Sequence, residues 1–446
     1  MVRVTDSLVE TVAATLGELV PVGEAVLIAV SGGPDSLALM ELLHRGAALH
    51  GRQLVVGHVD HGIHPESARV AKAVMARAAS LGLPGKVATL ALGPQASETT
   101  ARRGRRAALA QLAKECGAGA IALAHHADDQ VETILLRVLR GSGPSGLAGM
   151  EPRSGRWVRP LLGVDRATLH AWLTAQGVES WDDPANRDSR HLRSWVRHQV
   201  MPQLEARLPD VNTRIRGLGA QARSARLAWD EVLELLPELD LREEPGGLSV
   251  AASPLRGYRS DLSRTLLGAL GRRFGVQVGV RRAVAIERLL AAHRSGRSIR
   301  VDPGLEVELA GDRLILSRPA AAPPPAVELP EVGQLTFGDW KVRSAVGLAG
   351  RSTRGGEVGW FTPGPLQLGT WQSGDRIRPL GGSGSRPVSV MLREAGIPRA
   401  RRALWPVIRG PVDGDATILW VPGICRGNGR VPTEGKEARH LDCTLA

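Results

Sequence analysis

The chain has 446 residues, a length at which two or three domains with separate hydrophobic cores are expected. No apolar run approaches the roughly 20 residues of a membrane span, and the amphipathic first segment is unlike a signal peptide, so we expect a cytoplasmic protein without a membrane partner. The formal charge of +12 favours a nucleic-acid partner, although a compositional preference for arginine is the alternative explanation.

Short apolar runs alternate with helix-like segments between residues 26 and 160. The runs are VLIAV, LVVGHVDHG, KVATLAL and AIALAHH, and each of them ends in a small or polar turn. This alternation is typical of βαβ units, which build a parallel sheet. Because ligands of such sheets bind at the carboxyl ends of the strands, we expect an α/β domain whose functional residues lie at that edge.

The first strand leads into the sequence SGGPDS, residues 31–36, and then into a leucine-rich helix. Gly32 and Gly33 permit a tight turn, and the amides at the start of the helix favour an anion, with Ser31 and Ser36 as further donors. A Walker loop would carry a lysine, whereas Asp35 suits Mg²⁺ and favours nucleotidyl transfer over transfer of a γ-phosphoryl group. The alternative is an ordinary glycine-rich turn with helix caps.

Two further segments bring charged residues toward the same region. The second strand ends in HVDHG, where Asp60 is either part of a site or part of a simple turn. Farther along, ETTARRGRR places Arg102 and Arg105 on one helical face, three residues apart. These two cations suit ATP phosphates, and the alternative is a solvated basic face.

The segment ALAHHADDQVETILLRVLRGSGPSGLAGM, residues 122–150, follows another buried strand. His125 and His126 come at the end of that strand, and Asp129 and Glu132 share a face of the next helix, within reach of Asp128. Such a group can bind Mg²⁺, an ammonium group or the edge of a base. Acids at a helix start are also expected simply as caps that interact with the helix dipole.

The remaining chain predicts a middle part that is mainly helical and a small final domain. Helical spacing runs through residues 164–235, and strands are predicted in SIRVDPGLEVELAGDRLILSR. The sequence PAAAPPPAVELPE cannot sustain a helix or a central strand, so it marks a linker. We predict a catalytic domain at 1–205, a middle domain at 206–318, a linker at 319–332 and an α+β C-terminal domain at 333–446.

The phosphate loop resembles that of the ATP pyrophosphatase, or PP-loop, superfamily. The segment at 122–150 is similar to tRNA(Ile)-lysidine synthetases within it, as are RPLL at 159–162 and DDPANRD at 182–188. The same family is indicated by RSWVRHQVMPQLE at 193–205 and, near the carboxyl end, by SGDRIRPLGGSGSRP and AGIPRARRALWPVI. The resemblance therefore covers nearly the whole chain.

This resemblance implies a ligase that modifies tRNA(Ile) bearing a CAU anticodon. Family members use ATP to adenylate carbon two of the wobble cytidine, and free lysine then displaces AMP through its ε-amine. Pyrophosphate is the other product, and the lysidine formed switches decoding from AUG to AUA. The resemblance implies ATP and Mg²⁺ as cofactors, and it leaves open whether the chain forms a homodimer.

The resemblance also assigns roles to individual residues. ATP would be held by Ser31, Gly32, Gly33, Pro34, Asp35, Ser36, Arg102 and Arg105, with Asp35 as the metal ligand. The catalytic set that positions the cytosine and the lysine would be Asp35, Asp60, His125, Asp129 and Glu132. In the catalytic domain, the contacts to tRNA would come from Arg187, Arg190, Arg193 and Arg197. The middle domain would also contact tRNA. In the C-terminal domain, the contacts would come from Arg376, Arg378, Arg399 and Arg402.

The sequence departs from the family pattern at positions that concern RNA more than catalysis. Arg106 stands where the family usually has an aromatic residue, and Ser194 and Trp195 stand where asparagine and arginine are typical. Trp371 and Gln372 occupy positions that are commonly basic. These differences affect the expected docking of tRNA, because none of them lies in the phosphate loop.

Two other functions remain as alternatives. A tRNA thiolase of the same superfamily would need a sulfur-carrying cysteine near the site, but the three cysteines are far apart in sequence and form no CxxC motif. For the same reason neither a zinc ribbon nor a redox dithiol is indicated. A non-catalytic RNA-binding protein would explain the basic charge. It would not explain a phosphate loop together with histidines and acids at neighbouring strand ends.

Overall fold

The computed structural model describes residues 2–60, 62, 66–90, 98–181, 192–244, 246–319, 322–412 and 414–445. The chain forms two compact units, Met1–Arg226 and Leu227–Ala446. No helix in these described ranges is both long enough and apolar enough to cross a membrane.

The first unit contains a sheet with helices around it. Its helices, the last of which continues past the unit's end, are α1 (Val2–Leu19), α2 (Pro34–Arg45), α3 (Ala47–His50), α4 (Ser67–Ser80), α5 (Glu98–Glu115), α6 (Ala127–Leu139), α7 (Arg166–Ala175), α8 (Leu192–Trp195), α9 (Met201–Arg207) and α10 (Val211–Val232). Its strands are β1 (Ala25–Ala29), β2 (Leu54–Asp60), β3 (Gly85–Thr89), β4 (Ala118–Ala122), β5 (Arg153–Ser154) and β6 (Trp157–Val158).

The sheet has the strand order β3-β2-β1-β4-β6-β5. All neighbouring pairs are parallel except β5 with β6, so the predicted parallel sheet is confirmed. The central strand carries Val26, Leu27 and Ile28, all fully buried, because helices cover both of its faces. One core packs α1, α2, α4 and α7 against the sheet, and a second core includes α5.

Parallel pairing places the carboxyl ends of β1, β2 and β4 at the same edge of this sheet. The loop at residues 31–36 follows β1, Asp60 ends β2, and residues 125–132 follow β4. The topology therefore brings three segments that are distant in sequence to one place, as expected for the ligand-binding edge of a parallel sheet.

The second unit has two separate hydrophobic cores. Its helices are α11 (Ala252–Gly257), α12 (Ser260–Arg273), α13 (Val280–Ala291), α14 (Val388–Glu394) and α15 (Arg399–Arg402). The strands around the first core are β7 (Arg242–Glu244), β8 (Gly247–Ala251), β9 (Arg297–Asp302), β10 (Leu305–Ala310) and β11 (Arg313–Ser317). The strands of the C-terminal part are β12 (Val327–Glu328), β13 (Gly333–Phe337), β14 (Trp340–Leu348), β15 (Val358–Phe361), β16 (Gln367–Thr370), β17 (Arg376–Ile377), β18 (Arg386–Pro387), β19 (Pro406–Val412), β20 (Asp415–Val421), β21 (Cys425–Arg426) and β22 (Glu437–Leu445).

The two parts of this unit differ in architecture. The middle part packs α11, α12 and α13 on a five-stranded antiparallel sheet of order β7-β8-β11-β10-β9, so it contains more strand than its helical spacing alone indicates. The C-terminal part is mostly antiparallel, with sheets of order β12-β16-β19-β20-β21 and β13-β14-β22-β15, and its core includes Phe361 and Trp420. The domain boundaries at 205, 318 and 332 stay predictions.

A buried carboxylate connects these two parts. Glu308 lies in β10 and is only 2 % exposed. It accepts a hydrogen bond from the backbone N–H of Arg399 at 2.6 Å and is ion-paired with the guanidinium of Arg402. Arg399 also donates to the hydroxyl of Ser298 in β9 at 3.2 Å. Two arginines predicted to contact tRNA therefore hold α15 against the middle sheet.

Replacing Glu308 by alanine is expected to accelerate hydrogen exchange of the Arg399 amide by about 10- to 100-fold, because a hydrogen bond to a charged acceptor contributes about 1.5–3 kcal/mol. Mass-spectrometric exchange of peptides that cover residues 399–402 measures the effect. Glu306→Ala, on the same strand, is the matched control and should leave that exchange unchanged. Equal exchange in both variants would contradict the role given to Glu308.

Candidate active site

The loop after β1 has a conformation that depends on glycine. Gly32 has a φ of +93°, and a Cβ at this position would lie 2.5 Å from a methyl group of Val70 in α4. Ser31 donates its N–H to the hydroxyl of Ser36 at 3.1 Å, and that hydroxyl donates to the carbonyl of Gly33 at 2.8 Å. The loop is therefore closed by its own hydrogen bonds.

Helix α2 begins directly after this loop, with Gly33 as its N-cap residue and Pro34 in the first turn. Pro34 has the backbone angle that a helix start requires, and it lacks the N–H that would have no partner there. The remaining first-turn amides and the positive end of the helix dipole face outward from the strand end. This arrangement suits a bound phosphate, as the sequence predicts.

Asp35 lies between two histidines. Its Oδ1 atom is 2.8 Å from Nε2 of His170 in α7, and its Oδ2 atom is 3.7 Å from Nε2 of His126. Burial alone would raise the pKa of Asp35, but hydrogen bonding and charge from His126, followed by His170, lower it to about 2. Asp35 is therefore a carboxylate at neutral pH, with two imidazole rings that fix its orientation.

His126 occupies the centre of the site and is almost fully buried. Its backbone N–H donates to Asp129 Oδ2 at 3.1 Å, which caps α6, and its ring nitrogens lie within 3.7 Å of Asp35, Asp128 and Asp129. Burial lowers the pKa of His126, but these carboxylates outweigh burial and raise it to about 9. The Nδ1 atom lies 3.4 Å from the Asp129 amide nitrogen and 3.5 Å from Asp128 Oδ2, and because a protonated imidazole can only donate, we assign its proton to Asp128.

His125 has the opposite character. Burial is the main cause that lowers its pKa to about 4; the charge of Asp129 opposes this shift, and the charges of Arg159, Arg193 and Arg102 add to it. Its Nδ1 atom is buried and has no hydrogen-bond partner among the described residues. His125 is therefore neutral, and it lines the same cleft as Asp35.

Asp129 and Glu132 are engaged by two arginines. Arg193 donates to Asp129 at 2.9 Å and to Glu132 at 2.8 Å. Arg197, which continues the helix after α8, donates to the same carboxylates at 2.9 and 2.5 Å. Glu132 is only 2 % exposed, and despite burial the pKa of Asp129 is lowered, mainly by His126 and Arg193. Residues predicted for lysine and for tRNA thus form one ion-pair network.

A cleft of about 300 Å³ joins these features. It is lined by the loop residues Ser31, Gly33, Pro34, Asp35 and Ser36, and by Arg105, His125, Asp129 and Arg197. Arg102 and Asp60 are not among its lining residues within the described ranges, and Asp60 accepts the N–H of Gly62 at 2.9 Å. The roles predicted for Arg102 and Asp60 stay predictions.

The other arginines predicted to bind tRNA differ in their hydrogen bonding and in whether the structure describes them. Arg187 and Arg190 lie outside the described residues. In the second unit, Arg376 donates to the side chain and carbonyl of Ser385, whereas Arg378 is exposed. Two residues of the site were not predicted from sequence, namely His126 as its centre and His170 as a partner of Asp35.

Comparison with known proteins agrees with this architecture. The model of the PP-loop domain family matches residues 7–204, and that of the TilS substrate C-terminal domain matches residues 366–442. The chain is 32 % identical to the tRNA(Ile)-lysidine synthase of Geobacter sulfurreducens, over 93 % of this chain and 92 % of that protein. It is 33 % identical to the same enzyme of Alkalilimnicola ehrlichii, over 90 % of each chain. A solved TilS C-terminal domain matches with 26 % identity and a TM-score of 0.24, covering 27 % of this chain and 98 % of that one.

Proposed function

This chain belongs to the tRNA(Ile)-lysidine synthase family and forms lysidine on tRNA(Ile) with ATP, and we propose that the cleft between residues 31–36 and 125–129 is where both steps of that reaction occur. The observation that supports this most is the meeting of the lysine-free phosphate loop, Asp35 and the two histidines at one sheet edge. A phosphate loop alone would support nucleotide binding without indicating what is activated.

In the first step, the oxygen on carbon two of the wobble cytidine, in the CAU anticodon, attacks the α-phosphorus of ATP. The loop amides and the start of α2 hold the departing pyrophosphate. Arg105 lines the cleft and provides a cation beside the phosphates. His126, protonated beside Asp35, holds that carboxylate in place at the phosphate loop.

The residues fit Mg²⁺ that arrives with ATP. Within the described ranges there is no group of three or more His, Cys, Asp or Glu residues placed to hold a metal by themselves. Mg²⁺ commonly uses one or two carboxylates together with substrate phosphates and water, and Asp35 is an ionised carboxylate at the phosphate loop. When bound there, the metal would neutralise charge on the phosphates.

His125 is the residue that we assign to the cytosine. Its neutral ring and unpartnered Nδ1 atom can exchange a hydrogen bond with the base edge without placing a second charge there.

The ion-pair network fits a zwitterionic amino acid better than an isolated ammonium group. Asp129 already accepts hydrogen bonds from His126, Arg193 and Arg197. Free lysine carries both signs of charge next to its α-carbon, so its carboxylate can pair with a guanidinium while its α-ammonium takes that guanidinium's place at Asp129. The ε-amine would then be free to attack the adenylated cytidine.

The structure offers no support for the thiolase alternative. Cys116 lies two residues before the start of β4. It therefore lies at the amino end of that strand, whereas the phosphate loop and His125 lie at the carboxyl ends. A cysteine that carried sulfur to the adenylated base would have to lie at the carboxyl ends of the strands, which is the edge of the sheet opposite to Cys116.

The test uses purified protein, a tRNA(Ile) transcript with a CAU anticodon, ATP, Mg²⁺ and radiolabelled lysine. We expect labelled lysidine in the digested tRNA, an adenylated tRNA when lysine is omitted, and neither product after chelation of the metal. A transcript with a GAU anticodon is the control and should remain unlabelled. Absence of lysidine, or incorporation of sulfur from a thiol donor, would refute the proposal.

A further inference from the structure

Among the described residues, Arg159, the arginine of the RPLL motif, is a buried cation without an acidic partner. It directly follows β6, and only 8 % of it is exposed. One terminal nitrogen donates to the carbonyl of Glu151 at 2.7 Å, and its buried Nε atom has no hydrogen-bond partner among the described residues. The carboxylate of Glu151 is not available to it, because Arg223 and Arg226 of α10 both pair with that group.

The charged groups around Arg159 are further cations, so they do not balance its charge. Burial, followed by the charges of Arg106 and Arg102, lowers the pKa of Arg159 to about 10, so it stays protonated. Arg106 itself stacks over the ring of Trp157, with its guanidinium carbon 4.4 Å from the ring centroid. Within the described ranges, Arg159 forms no ion pair shorter than 4.0 Å with a carboxylate.

A buried charge is normally paired, and a cation cluster at a sheet edge is stable only if an anion can reach it. Arg102, Arg106 and Arg159, which we call the β6 arginine cluster, have no such anion among their described neighbours. The ATP cleft is lined by Arg105 and not by these three residues within the described ranges. Leu123 donates its N–H to the carbonyl of Val158 at 2.9 Å, so Arg159 lies beside the strand end that carries His125, a residue of the cleft.

We propose that the β6 arginine cluster binds a backbone phosphodiester of the tRNA strand that carries the target cytidine, with Arg159 as the fixed contact and Arg106 as the exposed one. This inference rests on the proposed function, because it assumes that tRNA enters the cleft. It also explains how Arg106 can replace an aromatic residue. A guanidinium that lies over the Trp157 ring is itself a planar group on which a base can stack, and it adds a charge for the neighbouring phosphate.

The experiment compares the full-length wild type with Arg106→Gln, Arg159→Gln and the matched control Arg103→Gln. Arg103 is exposed on the same helix, and it is not among the charges that act on Arg159 or His125. The affinity for tRNA(Ile) is measured at several salt concentrations, and the affinity for ATP is measured separately. Thermal unfolding shows whether Arg159→Gln folds. If Arg159→Gln does not fold, Arg106→Gln still tests the proposal, because Arg106 is exposed.

We expect Arg106→Gln to raise the Kd for tRNA by roughly three- to tenfold and to reduce the slope of log K against log salt by about 0.7–0.9, the value for one lost phosphate contact. The Kd for ATP and all values for Arg103→Gln should stay unchanged. An unchanged salt slope in Arg106→Gln would overturn the proposal, and so would weaker ATP binding with unaltered tRNA binding. If the wild type itself failed to bind tRNA, the proposed function would be at fault instead.

Discussion

Replacing Asp35 by asparagine is expected to reduce adenylation of tRNA(Ile) by about 10²- to 10³-fold, the range found when one preorganised charged or polar group is removed from a reaction centre. Asparagine keeps the shape of the side chain but removes the charge that His126 and His170 now stabilise. It also removes the carboxylate that we propose for Mg²⁺. The measurement is the rate of pyrophosphate release at saturating tRNA and ATP.

The control for Asp35→Asn is Glu115→Gln, which makes the same change of charge in the first unit. Glu115 is at the carboxyl end of α5, where it accepts a hydrogen bond from Gln111 at 2.8 Å, and it does not line the cleft. It should release pyrophosphate at the wild-type rate. If Asp35→Asn did the same, the assignment of the phosphate loop as the catalytic nucleotide site would be wrong.

Replacing Glu132 by glutamine is expected to lower the free energy of unfolding of the first unit by about 3–5 kcal/mol, the usual result when one partner is removed from a buried ion pair. Among the described residues, Asp129 would be the one acidic partner left to Arg193 and to Arg197. Denaturant titration measures this loss, and Glu115→Gln again provides the comparison.

The same variant separates the two chemical steps. Because Glu132 fixes the two guanidiniums and does not itself line the cleft, we expect Glu132→Gln to raise the lysine concentration needed for half-maximal lysidine formation by at least tenfold. Adenylated tRNA should still form. Measuring adenylate and lysidine in one reaction decides the point, since parallel loss of both would mean that the network also serves the first step.

The parts of the fold that sequence reasoning predicts are those with long, regular patterns. The apolar runs of β1, β2 and β4 are each bounded by turn residues, and the parallel sheet that they indicate is present. The strands β5 and β6 have two residues each, so no periodicity can reveal them. They form only because Trp157 and Val158 pair with β4, a contact between segments about 36 residues apart.

In the candidate site, too, local sequence reveals some residues, whereas others are brought there only by the fold. The phosphate loop is recognisable because a strand, two glycines and a helix start are consecutive in the chain. His170 lies 135 residues from Asp35, in an ordinary amphipathic helix, so nothing local distinguishes it. Helical spacing placed Asp129 and Glu132 on one face, but spacing cannot show that Arg193 and Arg197 of another helix would lie against them.

The close contact between Gly32 and Val70 has a thermodynamic consequence for ligand binding. Val70 of α4 packs next to Gly32, and the Ser36 hydroxyl forms hydrogen bonds to the backbone of Ser31 and Gly33. The backbone between residues 31 and 36 is therefore ordered without a bound nucleotide. Ordering a flexible backbone costs about 1–2 kcal/mol per residue, and a loop that is already ordered avoids that entropic penalty on binding. Calorimetry of ATP binding should therefore show little loss of conformational entropy attributable to this loop.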